Sequence, residues 1–390
     1  MSKYRLCDGQ LIMEDCVKNM DLLIDGSTIS GIIESGKAVS SDYQAVDCAG
    51  MYVSAGFIDI HQHGGGGSDY MDDDPDAYLK ATDAHLSHGT TSVMPTLLSA
   101  DSKTTLRAVD SYKNALEDKR IRANLIGLHV EGPYISPAQA GAQKPEHIRH
   151  FDPTEYRYIW DASCGNIKRW SVAPEVPGAE AFAEFANANG IALSIAHSDA
   201  DFDTILKAFD MGYRHVTHFY SCISTITRRG GFRVPGILEA AYYLDDMNVE
   251  LIADACHLPI SLLQFVSKFK KSDRIALITD AMRAAGQNVE TSFLGSMDDP
   301  TPVIIEDGVA KMSDRMAFAG SIATADRLIR NMIQSGSSLI DAVKMMTENP
   351  LKMMNLSLKK GKIAVGYDAD ICIFDENINV KNVFCLGKPV

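Results

Sequence analysis

The feature that most constrains the fold is an eightfold alternation of strand-like and helix-like segments through the middle of the chain. The strand candidates are short, nearly continuous apolar runs at 56–61, 91–97, 125–131, 169–175, 191–197, 215–219, 249–254 and 275–280. Between them, apolar residues recur every three or four positions, which predicts helices at 75–88, 103–119, 179–189, 202–211, 235–245 and 260–269. Buried parallel strands have such apolar runs, so the pattern predicts an α/β fold, a (β/α)8 TIM-like barrel.

A doubly wound open sheet is the alternative arrangement of the same alternation. No Gly-x-Gly-x-x-Gly follows the first strand, as a dinucleotide site of that fold would require. Two further helices are expected at 324–335 and 339–346, where they would cover the barrel. Their many methionines are typical of core filling.

Both ends of the chain are rich in strand signals and differ from the middle. Asp-Gly turns at Asp8 and Asp25 separate apolar runs near the start, and similar runs return after Gly361. We expect 1–54 and 358–390 to form one small β-sandwich domain beside a barrel domain at 55–357. Two separate hairpin regions are the alternative.

The charge and cysteine content restrict the class of protein. The net charge is -14, which argues against a nucleic-acid or anionic-membrane partner, so an anionic ligand would need a local basic pocket. The Met1 end has no charged-then-apolar leader, and no apolar run approaches the ~18–20 residues of a membrane span. The eight cysteines are scattered without a Cys-x-x-Cys, which predicts reduced thiols in a cytoplasmic protein.

Metal-type side chains stand where the predicted strands end. The first strand ends in His61 and His63, which share a face because strand side chains alternate, and four glycines follow them. A single such histidine is most often a hydrogen-bonded core residue, but five strand ends carry these groups. They contribute four imidazoles and two carboxylates, from His61, His63, Glu131, His197, His218 and Asp280. Since barrel strands end at one face, they can form one or two metal sites there.

The chemistry of these groups suggests a division of roles. Glu131 can bridge two ions, with His197 and His218 completing one site and the other three ligands the second. Asp280 would lie beside water activated by a metal, whose pKa falls from ~15.7 to ~7. Its carboxylate can accept the proton and pass it to a leaving amine. The set predicts a hydrolase.

Several longer motifs resemble one known family. They are Gly56-Phe-Ile-Asp-Ile-His-Gln-His, Gly127-Leu-His-Val-Glu-Gly-Pro-Tyr-Ile-Ser, Gly141-Ala-Gln, Ala196-His-Ser, Thr217-His, Ile252-Ala-Asp-Ala-Cys-His, Ile278-Thr-Asp-Ala and Ala319-Gly-Ser. Over nearly its whole length the chain resembles the N-acetylglucosamine-6-phosphate deacetylases of the amidohydrolase superfamily. The resemblance implies that Glu131, His197 and His218 bind a catalytic Zn²⁺ or Fe²⁺, and that the His61–His63 pair makes a second ion possible.

The same resemblance implies the remaining roles. Asp280 would be the acid and base, Gln143 would contact the substrate near the scissile amide, and His257 would reach the sugar or its phosphate. Arg228 and Arg229 would supply the positive pocket for that phosphate. A solvated loop is the alternative for the arginines, and a structural hydrogen bond for His257. Family members usually form homodimers, so a homodimer is expected.

One segment departs from the family pattern. Where relatives read Asn-Ala after the sixth strand, this chain has Ser221 and Cys222, which remain candidate substrate-binding residues without the expected amide. The substrate could therefore be another acetamido-sugar phosphate, such as N-acetylgalactosamine 6-phosphate. Another amidase of the superfamily is a further alternative, although the fourth strand ends in no bridging lysine. A non-catalytic binder of metal or sugar phosphate would not need Asp280.

Overall fold

The computed structural model describes residues 2–390. Its strands are β1 Lys3–Ile12, β2 Val17–Asp25, β3 Thr28–Ile33, β4 Gln44–Asp47, β5 Tyr52–Ala55, β6 Phe57–Gln62, β7 Gly64–Gly65, β8 Ser68–Asp69, β9 Thr90–Leu97, β10 Asn124–Leu125, β11 Leu128–Glu131, β12 Ile167–Val172, β13 Ala192–Ile195, β14 His215–Val216, β15 Thr227–Arg229, β16 Phe232–Val234, β17 Asn248–Leu251, β18 Ile275–Leu277, β19 Thr291–Leu294, β20 Thr301–Glu306, β21 Val309–Met312, β22 Ile371–Phe374, β23 Val380–Cys385 and β24 Lys388–Pro389.

The α-helices lie mainly between the parallel strands. They are α1 Ala77–Leu86, α2 Ser102–Glu117, α3 Pro153–Ala162, α4 Ala179–Ala188, α5 Phe202–Asp210, α6 Ile237–Tyr243, α7 Ile260–Phe269, α8 Ala325–Gln334, α9 Leu339–Lys344 and α10 Glu348–Met353. The sequence analysis did not predict α3 or α10. No helix within residues 2–390 has the length and apolar character needed to cross a membrane.

Eight parallel strands form a barrel. They pair in the order β6, β9, β11, β12, β13, β14, β17 and β18. The two outer strands meet at a seam, where the backbone N–H of Asp280 donates to the carbonyl of His61 at 2.9 Å. The hydroxyl of Thr279 also donates to Asp59 across this seam. The predicted (β/α)8 barrel is confirmed, and the eight strand candidates correspond to these eight strands.

A second sheet combines both ends of the chain. Its order is β24-β23-β22-β5-β1-β2-β3, and β4 pairs with β1. The antiparallel pairing of β22 with β5 joins the late strands to the early ones, with Ile373 opposite Val53. A separate apolar core lies against this sheet and includes Leu6, Leu22 and Phe384. The predicted small β domain made from both termini is thus present beside the barrel.

Two insertions follow barrel strands on the side where those strands end. The hairpin β15–β16 comes after β14, and most of its residues are exposed. The antiparallel sheet β19–β21 comes after β18. Leu294, at the end of β19, is buried. Both insertions therefore begin at the face of the barrel where the strands end and where their polar residues lie.

Candidate metal centre and substrate pocket

Three of the predicted ligands form a first triangle at the end of the barrel. Glu131 is the last residue of β11, and His197 and His218 follow β13 and β14. The Nε2 atoms of the two histidines lie 3.2 Å apart, and they lie 3.2 and 3.0 Å from Glu131 Oε1. All three side chains are buried. Both histidines have left-handed backbones, with φ of 45° and 32°, so the chain turns sharply as it leaves each strand.

A second triangle lies beside the first. The Nε2 atoms of His61 and His63 are 3.3 Å apart, and Asp280 Oδ1 lies 3.3 and 3.0 Å from them. Glu131 joins the two triangles, because its Oε2 atom lies 3.3 Å from His63 Nε2 while its Oε1 belongs to the first triangle. The structure therefore brings together all six side chains that the strand ends offered.

These distances fit divalent metal ions. Two ligands at 2.0–2.1 Å from a tetrahedral ion lie about 3.3–3.4 Å apart, close to the edges of both triangles. The tautomers agree, since His197 Nδ1 donates to the carbonyl of Gln139 at 2.8 Å and His218 Nδ1 to that of Ser221 at 3.2 Å. Each Nε2 lone pair then faces the Glu131 carboxylate, an arrangement that a cation between them would stabilise. Nitrogen and oxygen donors suit zinc or iron.

The two carboxylates of this cluster, Glu131 and Asp280, both have lowered pKa values and stay ionised. Burial alone would raise the pKa of Glu131, but the surrounding imidazoles hold it well below its ordinary value. Burial alone would lower the pKa of His63, but hydrogen bonds to Asp280 and Glu131 raise it to about 10. Two carboxylates that stay ionised at a buried site favour a bound cation.

Asp59 supports the ligands from below, and the sequence analysis missed it. Its carboxylate accepts from the backbone N–H of His61 at 3.2 Å and from the side chain of Gln62 at 2.9 Å, as well as from Thr279. Burial raises the pKa of Asp59 to about 6. Its position, two residues before His61 on the same face of β6, was the available signal.

A layer of polar side chains fills the barrel beneath the triangles, where branched apolar residues are usual. Arg169 and Glu250 form a fully buried ion pair, with Arg169 Nη2 2.6 Å from Glu250 Oε1. Hydroxyls complete the layer, and His129 Nε2 lies 2.7 Å from Ser171 Oγ. Burial alone would raise the pKa of Glu250, but the neighbouring Arg169 and His61 lower it overall. The sequence analysis assigned no role to this layer.

A cavity of about 230 Å³ opens onto the two triangles. Gln143, Ser221, Cys222 and His257, four of the predicted substrate-binding residues, line it. The side-chain carbonyl of Gln143 accepts from the backbone N–H of Ser99 at 3.0 Å, which directs the amide NH₂ away from that N–H. The pattern of strand ends did not reveal the apolar part of the wall, formed by Leu98, Ala142, Leu294, Ala317 and Phe318.

His257 is held by its neighbours on the loop after β17. Its Nδ1 atom donates to Asp254 Oδ2 at 2.8 Å, and Asp254 also accepts from the backbone N–H groups of Cys256 and His257. The imidazole packs against Phe318, with ring centroids 4.7 Å apart. The remaining ring nitrogen, Nε2, is therefore the atom of His257 that can meet a ligand in the cavity.

The structure does not bring Arg228 and Arg229 to the cavity of their own chain. Both lie on β15, in the exposed hairpin, and Arg229 Nη1 lies 3.6 Å from Asp201 Oδ2. The two-stranded pairing forms an exposed hairpin, none of whose residues lines the cavity. Within residues 2–390, the side chains that line the cavity include no lysine or arginine.

Comparisons with known proteins agree with this geometry. The model of the amidohydrolase family matches residues 52–390. The N-acetylglucosamine-6-phosphate deacetylase of Lysinibacillus sphaericus is 31% identical over 373 residues, which cover 95% of this chain and 93% of the relative. The N-acetylgalactosamine-6-phosphate deacetylase of Shewanella sp. (strain ANA-3) is 30% identical over 340 residues, covering 86% and 82%. The crystal structure of N-acetylglucosamine-6-phosphate deacetylase from Pasteurella multocida superposes with a TM-score of 0.90 at 26% identity, covering 100% and 99%.

Proposed function

This chain belongs to the amidohydrolase family, among the N-acetylglucosamine-6-phosphate deacetylases, and from that membership we propose that it deacetylates N-acetylglucosamine 6-phosphate. The products are glucosamine 6-phosphate and acetate, which makes it an enzyme of amino-sugar metabolism. The observation that carries the proposal is Glu131, whose two oxygens face two ligand triangles at the floor of the cavity.

The metal centre supplies the activation of water. We propose that Glu131, His197 and His218 hold one divalent ion, Zn²⁺ or Fe²⁺, and that His61, His63 and Asp280 hold a second. A bound ion lowers the pKa of water from ~15.7 to ~7 and polarises the amide carbonyl. Glu131 also faces the second set, because its Oε2 atom lies 3.3 Å from His63 Nε2, so its carboxylate would contribute to both positions.

Asp280 moves the proton. Burial raises its pKa, but the charges of His61 and His63 lower it overall, so the carboxylate is ionised and can act as a base. Asp280 lines the cavity and can therefore accept a proton from the attacking water. The same oxygen then donates that proton to the amine nitrogen, which leaves as the carbon–nitrogen bond breaks. Asp280→Asn removes this step.

Side chains around the cavity orient the sugar. We assign the amide NH₂ of Gln143 to the scissile acetamido group, since Ser99 fixes the opposite end of that amide. We assign His257 Nε2 to the sugar or its phosphate. Ser221 and Cys222 also line the cavity, where their small side chains leave room for sugar hydroxyls.

A second copy of the chain would complete the phosphate site. The cavity-lining side chains of the described chain include no lysine or arginine, while Arg228 and Arg229 stand on an exposed hairpin with Phe232 79% exposed. Exposed Phe265 and Phe269 lie on α7 and line a groove together with residues of α6. We propose a homodimer in which these apolar residues pack between copies and the hairpin arginines reach the partner's cavity. Guanidinium groups suit phosphate oxygens.

Mixing two inactive variants tests this dimer. Chains carrying Arg228→Ala and Arg229→Ala together would be refolded with Asp280→Asn chains at equal concentration. Half of the dimers would be hybrids with one complete site out of two, so about a quarter of wild-type activity should return. If the mixture stays as inactive as its parts, the arginines do not act across the interface.

The compartment we propose is the cytoplasm, since all eight cysteines are free thiols.

The activity itself is tested by acetate release. Protein reconstituted with Zn²⁺ or Fe²⁺ would be given N-acetylglucosamine 6-phosphate, N-acetylgalactosamine 6-phosphate and unphosphorylated N-acetylglucosamine. The glucosamine substrate should react fastest and the unphosphorylated sugar slowest, with Asp280→Asn inactive on all. A faster reaction with the galactosamine epimer would assign the chain to that substrate, as for the Shewanella relative. Equal rates of acetate release for wild type and Asp280→Asn would refute the proposed enzymatic activity.

A further inference from the structure

The buried ion pair beneath the metal centre is not explained by stability. Arg169 and Glu250 have no exposed surface, and Arg169 Nη2 contacts both oxygens of Glu250, at 2.6 and 2.7 Å. The same nitrogen lies 2.8 Å from Thr217 Oγ1 and 3.2 Å from Ser194 Oγ. Removing two charges from water costs more than such a pair usually returns, and apolar side chains of similar volume fill a core at least as well. The pair therefore calls for a role beyond packing.

Both imidazoles of the second triangle, His61 and His63, lack a hydrogen-bond partner for the outer nitrogen within residues 2–390, and His61 is the one that lies near a buried carboxylate beneath the centre. His61 Nε2 faces Asp280 and His63, so the ring proton belongs on Nδ1. That Nδ1 atom is fully buried and makes no hydrogen bond within residues 2–390. In the first triangle, by contrast, the Nδ1 atoms of His197 and His218 each donate to a backbone carbonyl. Histidines that bind metals almost always have such an outer acceptor, which fixes the tautomer and the ring direction.

Glu250 is placed to be that acceptor. Its Oε2 atom lies 3.8 Å from His61 Nδ1, and a shift of less than about 1 Å would bring the two to hydrogen-bond distance. Arg169 fixes the carboxylate and also donates through Nη1 to the carbonyl of Ile60, the residue before His61, at 3.3 Å. The ion pair thus contacts both the side chain of this ligand and the backbone that carries it.

We infer that Arg169 and Glu250 are positioning residues for His61 and set the affinity of the second ion. Glu250 accepts a hydrogen bond from the Nδ1–H group of His61, which keeps the proton on Nδ1 and the Nε2 lone pair directed at the ion, and Arg169 holds Glu250 in place. The first triangle depends on the pair less, because its histidines have carbonyl acceptors of their own and Arg169 reaches it only through the hydroxyl of Thr217, the residue before His218. This inference rests on the proposed two-ion centre.

Metal titration of the full chain tests the inference without using the reaction. Metal-free protein would be titrated with Zn²⁺ against a chromophoric chelator, which gives the number of ions and a dissociation constant for each. Wild type should bind two ions, and His61→Ala identifies the constant that belongs to the second triangle. In Arg169→Met/Glu250→Met, which leaves no lone buried charge, that constant should rise about 10–100-fold. Glu250→Gln, whose amide oxygen can still accept a hydrogen bond, should give a constant between those of wild type and the double variant.

Ser194→Ala is the matched control. It removes a hydroxyl that contacts Arg169 but not His61, and both dissociation constants should stay within about twofold of wild type. The inference is overturned if the double variant binds both ions with wild-type affinity, if both constants rise together, or if wild type binds only one ion. Should the double variant not fold, as judged by circular dichroism, Glu250→Gln decides by the same criterion. Acetate release by the wild-type preparation reports on the proposed activity separately.

Discussion

Replacing Arg283 with methionine should destabilise the protein and weaken substrate binding together. Its guanidinium donates to both carboxylate oxygens of Asp72, at 2.6 and 2.7 Å, and both side chains are only 7% exposed. It also donates to three carbonyls, those of Gly67, Phe293 and Gly295. These contacts tie the glycine segment after His63 to the end of β19, where Leu294 forms part of the cavity wall.

The expected magnitude follows from the burial of this pair. Breaking a buried ion pair by removing one partner leaves the other charge uncompensated and costs about 3–5 kcal/mol of the free energy of unfolding. An exposed pair contributes only about 0–1 kcal/mol. In Asp72→Asn/Arg283→Met no lone charge remains, so the loss should be smaller than the sum of the two single losses. The difference, a coupling energy, should reach about 1–3 kcal/mol.

Urea denaturation of wild type, the two single variants and the double variant measures these energies. Arg107→Met is the matched control, because Arg107 forms an exposed ion pair with Asp298 at 2.6 Å; it should lose no more than about 1 kcal/mol. The KM for acetate release should rise in Arg283→Met, because the cavity wall loses its support. A loss below about 1 kcal/mol in that variant, or single losses that simply add, would refute the reasoning.

Other predictions address the centre and its surroundings. Burial lowers the pKa of His85 to about 4. Between pH 6.5 and about 4 the imidazole is therefore protonated in the unfolded chain but not in the folded one, so the free energy of unfolding decreases as the pH is lowered through this range. His85→Gln should make this fall smaller by up to about 3 kcal/mol in urea titrations from about pH 7 to pH 4.5, and equal pH slopes would contradict it. A Cβ at Gly64 would lie 2.1 Å from the carbonyl oxygen of Ser68, so Gly64→Ala should displace His63 and lower the bound metal measured by elemental analysis. Gly36→Ala strains a left-handed backbone in the terminal β domain without a close contact, and it should leave the bound metal unchanged. Glu131→Gln should bind neither ion tightly and release no measurable acetate; tight binding of one ion would show that the bridge is dispensable. Chelation of wild type should abolish activity, and added Zn²⁺ or Fe²⁺ should restore it; activity that persists in metal-free protein would exclude the proposed chemistry.

The barrel could be predicted from the sequence because its strands are buried on both faces. Each one then reads as an apolar run, and each run is separated from the next by a helix. The ligands could be predicted for a related reason. A polar side chain directly after an apolar run marks the end of a strand, and parallel strands all end at one face. This rule alone brought His61, Glu131 and Asp280 to the same place, although they are distant in sequence.

Other parts depended on information that a single sequence does not carry. Arg169 and Glu250 lie within β12 and β17, and the sequence alone does not show that the closed ring of strands turns these charged side chains inward to meet each other. Helix α3 was not predicted, although Asp152 caps it and Pro153 begins it, because it lies in a long connection before the fourth strand. Arg228 lies on an exposed hairpin because its strand pairs locally with the strand that carries Arg233, and the spacing of these residues in the sequence does not indicate that pairing.

The pairing of β5 with β22 has a consequence for synthesis. The ribosome releases the first strands of the terminal sheet more than three hundred residues before their partners on β22 and β23, so the early strands wait with an open hydrogen-bonding edge. Nascent chains in this state are prone to join one another through such edges. Truncation just before β22 should therefore yield insoluble protein even though every ligand of the two triangles is already present.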